Sequence, residues 1–233
     1  FILKLEMSTQ NVDEALYSRQ LYAIGHEAME EMRKSSVLIC GLGGLGVEIA
    51  KNTILSGFKS VTLNEKKNAS WMDLSSQYYL NEKDIGKNRG ECCLEKLKEL
   101  NPYVEVKFDN CDLTENYMKK FTIVVLTDSH LDEQLLVNKI TNKYNIKFIN
   151  AKTWGLYGQI FCDFGKKFIV KDPDGEQLHS SIVIDISNEE KALITCAETK
   201  LHGLVTGDLV SFKGNNFLDK IYEISYVDKF SFR

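Results

Sequence analysis

The chain has 233 residues, 43% of them hydrophobic and 27% charged, with a net charge of −4. This is an ordinary globular composition, sufficient for one ample core or for a domain with a smaller appendage. Net negative charge speaks against a nucleic-acid binder that works by neutralising phosphates, and the longest apolar runs are strand-sized, too short to span a membrane.

Six cysteines (40, 92, 93, 111, 162, 196) show no C-x-x-C spacing, and none of the four histidines (26, 130, 179, 202) is closely paired. This predicts no metal site, and buried or semi-buried thiols in a reducing compartment. Phe1-Ile-Leu-Lys-Leu-Glu-Met7 lacks a basic start and a long apolar core, so no signal peptide is read there.

Residues 1–12 are expected to fray. Asp13 to Ser35 reads as a helix with an apolar face of Leu16, Ile24, Ala28, Met29 and Met32, interrupted near Gly25. Val37–Cys40 is a short β-branched run of the kind that makes a buried strand, and Val47–Leu55 continues at helical spacing. Between them Gly41, Gly43 and Gly46 supply G-x-G-x-x-G. Strand, glycines and helix in that order are the context in which this pattern binds a nucleotide phosphate. The helix start offers unpaired N–H groups to an anion. A glycine turn without any ligand is the alternative.

Ser60–Leu63 is a second strand, followed by Glu65 about 20 positions beyond the glycine loop, where a ribose-binding carboxylate belongs. A solvated glutamate beside Lys66 and Lys67 is the competing reading. Trp71–Leu80 is a polar and aromatic connection, Asp84–Leu100 a helix stopped by Asn101-Pro102, and Val104–Phe108 a strand. Glu115–Phe121 is a short helix and Ile123–Leu126 an apolar strand. Asp128 lies just past its carboxyl end, where ligands of α/β sheets gather. Leu131–Asn145 (helix) and Lys147–Ala151 (strand) complete an alternation that predicts a doubly wound, mostly parallel, Rossmann-like sheet.

After Gly155 the texture changes. Leu156–Val170 is strand-like, Asp172-Pro-Asp-Gly175 is a turn, and five short strands follow, broken by Gly and Asn. They cover Ser181–Ile186, Ala192–Thr195, Asp208–Phe212, Ile221–Ser225 and Lys229–Phe232. The expected division is therefore an α/β domain over 1–170 and a smaller all-β inserted domain over 171–233.

Several stretches in this order resemble the N-terminal region of the ubiquitin-activating enzymes, from about Tyr17 onwards. They are Tyr17-Ser-Arg-Gln-Leu-Tyr, Gly41-Leu-Gly-Gly-Leu-Gly-Val-Glu-Ile-Ala-Lys-Asn, Trp71-Met-Asp-Leu-Ser-Ser-Gln and Asp84-Ile-Gly-Lys-Asn-Arg. Gly155-Leu-Tyr-Gly-Gln-Ile-Phe-Cys-Asp-Phe-Gly and His202-Gly-Leu-Val-Thr-Gly-Asp-Leu-Val-Ser-Phe extend the match. Enzymes of that family adenylate the C-terminal glycine of ubiquitin with ATP and Mg2+, capture it as a thioester and pass it to a conjugating enzyme.

The family pairs an active with an inactive adenylation domain, and the resemblance is to the inactive one. The active half carries Asp-x-Asp and later Asn-Leu-Asn-Arg-Gln. This chain has Glu65 and Lys67, then Asp73-Leu-Ser-Ser-Gln77, so Ser76 stands where the phosphate arginine would be. Glu65, Arg89 (in place of a lysine) and Asp128, with Gly41, Gly43 and Gly46, form the remnant of a nucleotide site. Many inactive halves of the family carry a bulky basic residue where this chain has Gly43, a departure that implies an open loop. ATP and Mg2+ would be bound mainly by the active half.

Arg19 matches the family arginine that reaches across to the partner domain's ATP. From position alone it would be a helix-surface arginine. The β module resembles the first catalytic-cysteine half-domain, which helps hold ubiquitin but lacks the thioester cysteine, so Cys162 and Cys196 are read as structural. The implied partners are the active adenylation domain of the same chain, ubiquitin and conjugating enzymes, in cytoplasm and nucleus. A non-catalytic subunit of a heterodimeric activator of a ubiquitin-like modifier is the first alternative. A free-standing NAD-dependent oxidoreductase and a plain ubiquitin-binding module rank below it.

Overall fold

The computed structural model describes residues 14–170, 180–199, 201–212 and 221–233. The chain divides into two compact units that meet between residues 171 and 172. Each is described by itself. Residues 1–12 and the Asp172–Gly175 turn lie outside the described residues.

The first unit opens with α1 (Glu14–Lys34), in which Gly25 takes φ 79° and ψ 169° and splits the segment into two helical pieces. A left-handed φ is cheap only for glycine, which accounts for the break that the sequence places there. There follow β1 (Ser36–Cys40), α2 (Gly44–Leu55), β2 (Ser60–Asn64), α3 (Arg89–Lys98), β3 (Glu105–Asp109) and α4 (Glu115–Met118). The unit ends with β4 (Ile123–Leu126), α5 (Leu131–Lys143), β5 (Lys147–Trp154) and β6 (Tyr157–Asp163).

The strands form one sheet in the order β3-β2-β1-β4-β5-β6. All neighbours run parallel except β5 and β6, an antiparallel hairpin closing at Trp154 and Tyr157. Successive side chains of a strand point to opposite faces. In β1, Val37 and Ile39 enter the core shared with Val47, Ala50 and Ile54 of α2 and Cys93 and Leu97 of α3. Leu38 and Cys40 enter the opposite core with Met118 of α4 and Val137 and Ile140 of α5. Burial on both faces is why β1 and β4 read as unbroken apolar runs rather than alternating ones.

Several boundaries differ from the sequence reading. The helix expected from Asp84 starts at Arg89, because Asn88 accepts hydrogen bonds from the N–H groups of Gly90 and Glu91 at 2.8 and 3.3 Å and so caps it. Asn81 and Asp84 instead close a capping box around a 3-10 turn, Glu82–Asp84. The short helix α4 ends at Met118, and the strand expected over Leu156–Val170 is confined to Tyr157–Asp163.

Cysteine exposure also departs from expectation. Cys40, Cys93 and Cys196 are buried and Cys92 is half-buried, but Cys111 and Cys162 are exposed. Cys162 lies on β6, the last strand of the sheet, and Cys111 lies in the loop after β3. All six are free thiols.

In the second unit β7 (Val183–Ile186), β8 (Ile194–Cys196) and β11 (Ser231–Phe232) form one antiparallel sheet, and β9 (Leu209–Ser211) pairs with β10 (Ile221–Glu223). Cys196, Ile224 and Phe232 make its small core. His202 is buried beside it; its Nδ1 accepts from the Leu204 amide at 3.0 Å, which leaves Nε2–H to donate to the Asp228 carbonyl at 2.8 Å.

Candidate functional site at the carboxyl edge of the parallel sheet

The glycine loop leaves β1 at Cys40 and enters α2 at Gly44. Gly41 turns the chain with φ +89°, and a Cβ there would stand 2.6 Å from the Thr127 hydroxyl. That hydroxyl shares its proton between the carbonyls of Cys40 and Gly41, at 2.9 and 2.8 Å, and ties the ends of β1 and β4 together. A Cβ on Gly46 would run into the Gly41 carbonyl oxygen, so α2 can approach the loop only with glycine at this position.

The acidic residue after β2 is neither solvated nor free. Glu65 is 3% exposed, and its Oε2 accepts from the Leu42 amide at 2.7 Å and from Arg89 Nε and Nη2 at 3.0 and 2.6 Å. Its Oε1 accepts from the Lys67 amide at 2.7 Å. Arg89, at the first turn of α3, is also buried; its Nη1 donates to Asp73 Oδ1 at 2.7 Å and its Nη2 lies 3.5 Å from Asp128 Oδ2. One guanidinium thus faces three carboxylates.

The electrostatics follow from this contact set. Burial by itself would lower the Arg89 pKa, but Glu65 and Asp73 outweigh it and hold the guanidinium firmly charged. Burial pushes the Asp73 carboxyl up, while hydrogen bonds from Ser70 and the pairing with Arg89 overcome that push and leave it below the ordinary carboxylate range. Burial raises the Cys40 thiol strongly, so it is no nucleophile at neutral pH.

A second strand end also approaches the loop. Asp128 follows β4 with φ 53°, a left-handed conformation that Asp tolerates better than most residues. Its Oδ2 lies 2.5 Å from where a Gly43 Cβ would stand. A carboxylate therefore borders the loop at Gly43. Ser76 Oγ comes within 2.6 Å of the corresponding point on Gly44. A cavity of about 390 Å3 remains beside them, walled by Leu113, Leu126, Leu136 and Val137 and edged by the Lys66–Asp112 ion pair. The cavity is also lined by Gly41, Lys66, Lys67, Arg89 and Asp128, so it opens onto the loop, whose neighbouring guanidinium is already shared among three carboxylates.

The structure thus brings Gly41, Gly43, Gly46, Glu65, Arg89 and Asp128 together at one edge of the sheet. Arg19 is not among them. It is exposed on α1. Tyr17 there is buried and accepts at its hydroxyl from Asn101 Nδ2 at 2.8 Å, and Gln20 donates to the Ser56 carbonyl at 2.9 Å. Ser56 and Asn101 precede β2 and β3, so this anchor sits at the amino edge of the sheet, opposite the glycine loop. Sequence reasoning gave no site role to Asp73 or to Gln77, whose buried amide bonds the Leu42 carbonyl at 3.2 Å and Cys93 Sγ at 3.0 Å. Their four-residue spacing within Asp73-Leu-Ser-Ser-Gln77 was the available signal.

Comparison with known proteins places the chain in context. The ThiF family model matches residues 17–227. "Ubiquitin-like modifier-activating enzyme 1" of Rattus norvegicus is 50% identical over 205 residues, 88% of this chain and 19% of that protein. "Ubiquitin-activating enzyme E1 1" of Schizosaccharomyces pombe is 46% identical over 211 residues, 90% of this chain and 21% of that protein. The chain spans about a fifth of the length of the curated relatives it matches.

Two solved E. coli proteins share the fold. MccB has a TM-score of 0.52 at 24% identity, covering 59% of this chain and 44% of MccB. The tRNA N6-threonylcarbamoyladenosine dehydratase scores 0.53 at 14% identity, covering 59% of each chain. With its glycine loop, its mostly parallel sheet and a family match over nearly its whole length, the chain belongs to the ThiF family.

Proposed function

We propose that this chain supplies the inactive adenylation half of an enzyme that activates ubiquitin. ATP is the reagent that such an enzyme uses to activate the ubiquitin carboxyl terminus. The observation that carries the reading is an Arg89 already paired with carboxylates beside the glycine loop, in a chain half-identical to ubiquitin-activating enzymes. Ser76 stands against Gly44, Asp128 borders Gly43, and Arg89 is spent on carboxylates. Among the described residues at the loop, none offers the bidentate, preorganised cation that a developing phosphate charge needs.

ATP and Mg2+ then belong to the active half of the same enzyme, and this chain's part is support. Arg19 is its contribution to chemistry: a permanently charged fork on a helix whose register Tyr17 and Gln20 fix from within. The β unit of residues 172–233 helps hold ubiquitin, and conjugating enzymes meet the full protein, in cytoplasm and nucleus. The division into an adenylation domain over 1–170 and a half-domain over 171–233 belongs to the same reading. A free-standing NAD oxidoreductase is disfavoured, because the acceptors of Glu65 that would take a ribose are used by Leu42, Lys67 and Arg89.

The test is ubiquitin-dependent ATP–pyrophosphate exchange, on this chain alone and on the full enzyme carrying Arg19→Ala. No exchange by the chain, with a deep loss in a normally folded Arg19→Ala enzyme, is expected. Exchange by the chain alone would overturn the inactive-half reading, and an unaffected variant would return Arg19 to the helix surface.

A further inference from the structure

Arg19 stands on a piece of helix that the fold holds by a single seat. Gly25, at φ 79° and ψ 169°, interrupts α1. The orientation that buried Met29 gives the second piece is therefore not carried back through a continuous helix to the first. Among the described residues of 15–24, Tyr17 alone is buried. Its ring lies against Gly57, where a Cβ would stand 2.8 Å from the hydroxyl and 2.9 Å from Cζ. Gly57 also has φ +82°, so glycine is required there by the turn and by the ring together. The partner of the hydroxyl, Asn101, is itself fixed. Its Nδ2 donates to the Ile54 carbonyl at 3.0 Å as well as to Tyr17, and its Oδ1 accepts from the Tyr103 amide at 3.1 Å.

Residues two apart on a helix point about 200° apart, so seating Tyr17 inward turns Arg19 outward. Leu16 and Tyr22, a turn to either side of Arg19, are 55% and 95% exposed, which marks that outer face. Gln20 adds its hydrogen bond to the Ser56 carbonyl beside the seat. The seat lies at the amino edge of the sheet, and β1, five residues and roughly 16 Å long, separates it from the glycine loop. Arg19 is thus remote from the loop of its own chain, as a residue serving another domain must be.

We infer that Tyr17, seated on Gly57 and Asn101, is a positioning residue for Arg19: it sets the direction in which the arginine leaves this domain, and touches no nucleotide itself. This rests on the role proposed above for Arg19 and goes beyond it, placing control of that arginine in the turns that enter β2 and β3. The physical reason is that a long side chain delivered across an interface is placed only as well as its backbone, and a misplacement of about 1 Å can cost about a hundredfold in rate.

The experiment measures ubiquitin-dependent ATP–pyrophosphate exchange against ATP concentration in the full enzyme carrying Arg19→Ala, Tyr17→Ala or both. Amide hydrogen exchange of the Tyr17→Ala chain is measured alongside. Tyr17→Ala is expected to lower kcat/KM for ATP by about tenfold or more, but by less than about twofold where Arg19 is already alanine. Amides of residues 18–24 should exchange at least about tenfold faster, with those of 26–34 beyond Gly25 unchanged. Equal losses in the two backgrounds would show a merely structural tyrosine and overturn the inference, as would unchanged exchange at 18–24. A normal Arg19→Ala enzyme would remove the role of Arg19 and the inference with it, whereas a defective Arg19→Ala beside a normal Tyr17→Ala overturns the inference alone. Should Tyr17→Ala fail to fold, Tyr17→Phe with Gln20→Ala decides, since the ring stays and both hydrogen bonds go. A loss of about threefold or more that disappears without Arg19 supports the inference, and no loss overturns it.

Discussion

Replacing Arg89 with methionine tests whether the buried ion cluster holds the first unit together. The Arg89 side chain is 6% exposed and that of Glu65 3%, so the substitution strands a carboxylate with only the Leu42 and Lys67 amides as donors. Removing one member of a buried pair costs about 3–5 kcal/mol, because the remaining charge is left uncompensated. Methionine recovers part of the apolar stem packing, which moves the expectation to the lower end, about 3 kcal/mol. The Asp128 contact adds little, since that carboxylate is 36% exposed and 3.5 Å away.

At roughly 2–4 °C per kcal/mol for a chain of this length, the melting temperature should fall by about 6–12 °C. Pairing the change with Glu65→Gln removes the stranded charge, so the double variant should recover about 1–2 kcal/mol relative to the two single losses added together. Thermal and urea melts of the four proteins supply the cycle. A shift of less than about 2 °C in Arg89→Met, or strict additivity in the double variant, would refute the keystone role.

Three further outcomes are expected. Gly46→Ala, whose new methyl meets the Gly41 carbonyl, should cost at least the ~1–3 kcal/mol of ordinary overpacking, read as a lowered urea midpoint; a neutral result would mean that α2 is free to move off the loop. The Asp73 carboxyl, held below its ordinary value against the pull of burial, stabilises the fold above the unfolded pKa of about 3.9 and loses that contribution as pH falls through its lower folded value. Any stability advantage over Asp73→Asn should therefore shrink between about pH 5 and pH 2, and a gap independent of pH would contradict the assignment. Among the six thiols, Cys162 and Cys111 should react with an aromatic disulfide reagent in the native protein, Cys111 more slowly because Asp109 raises it. Cys40, Cys93 (pushed up by burial to about 11) and Cys196 should react only on unfolding, and rapid native labelling of Cys40 would place it wrongly in the core.

Local order along the chain was legible in the residues. Val37–Cys40, the three glycines and the periodic run after them determine strand, turn and helix by themselves, because apolar patterning and glycine geometry act over a few residues. The alternation of such pieces determined a parallel sheet, and short interrupted strands determined a β unit after it. The helix start at Arg89 was harder to read, since its cap is the Asn88 side chain accepting from the Gly90 and Glu91 amides, which outcompetes helical continuation from Asp84.

What only the tertiary structure decided is which charges meet. Glu65 lies next to Lys66 and Lys67 in sequence, yet it pairs with Arg89, 24 positions on, because β2 and α3 converge at one edge of the sheet. Asp73 and Asp128 join from a loop and from another strand end, 16 residues before and 39 residues after that arginine. Gly43, bare in the sequence, is bordered by Asp128 for the same reason. Cys162 is exposed because both faces of β6 are left largely uncovered among the described residues. Each of these is a contact across the chain, fixed by packing two or more elements, and a linear pattern carries no record of it.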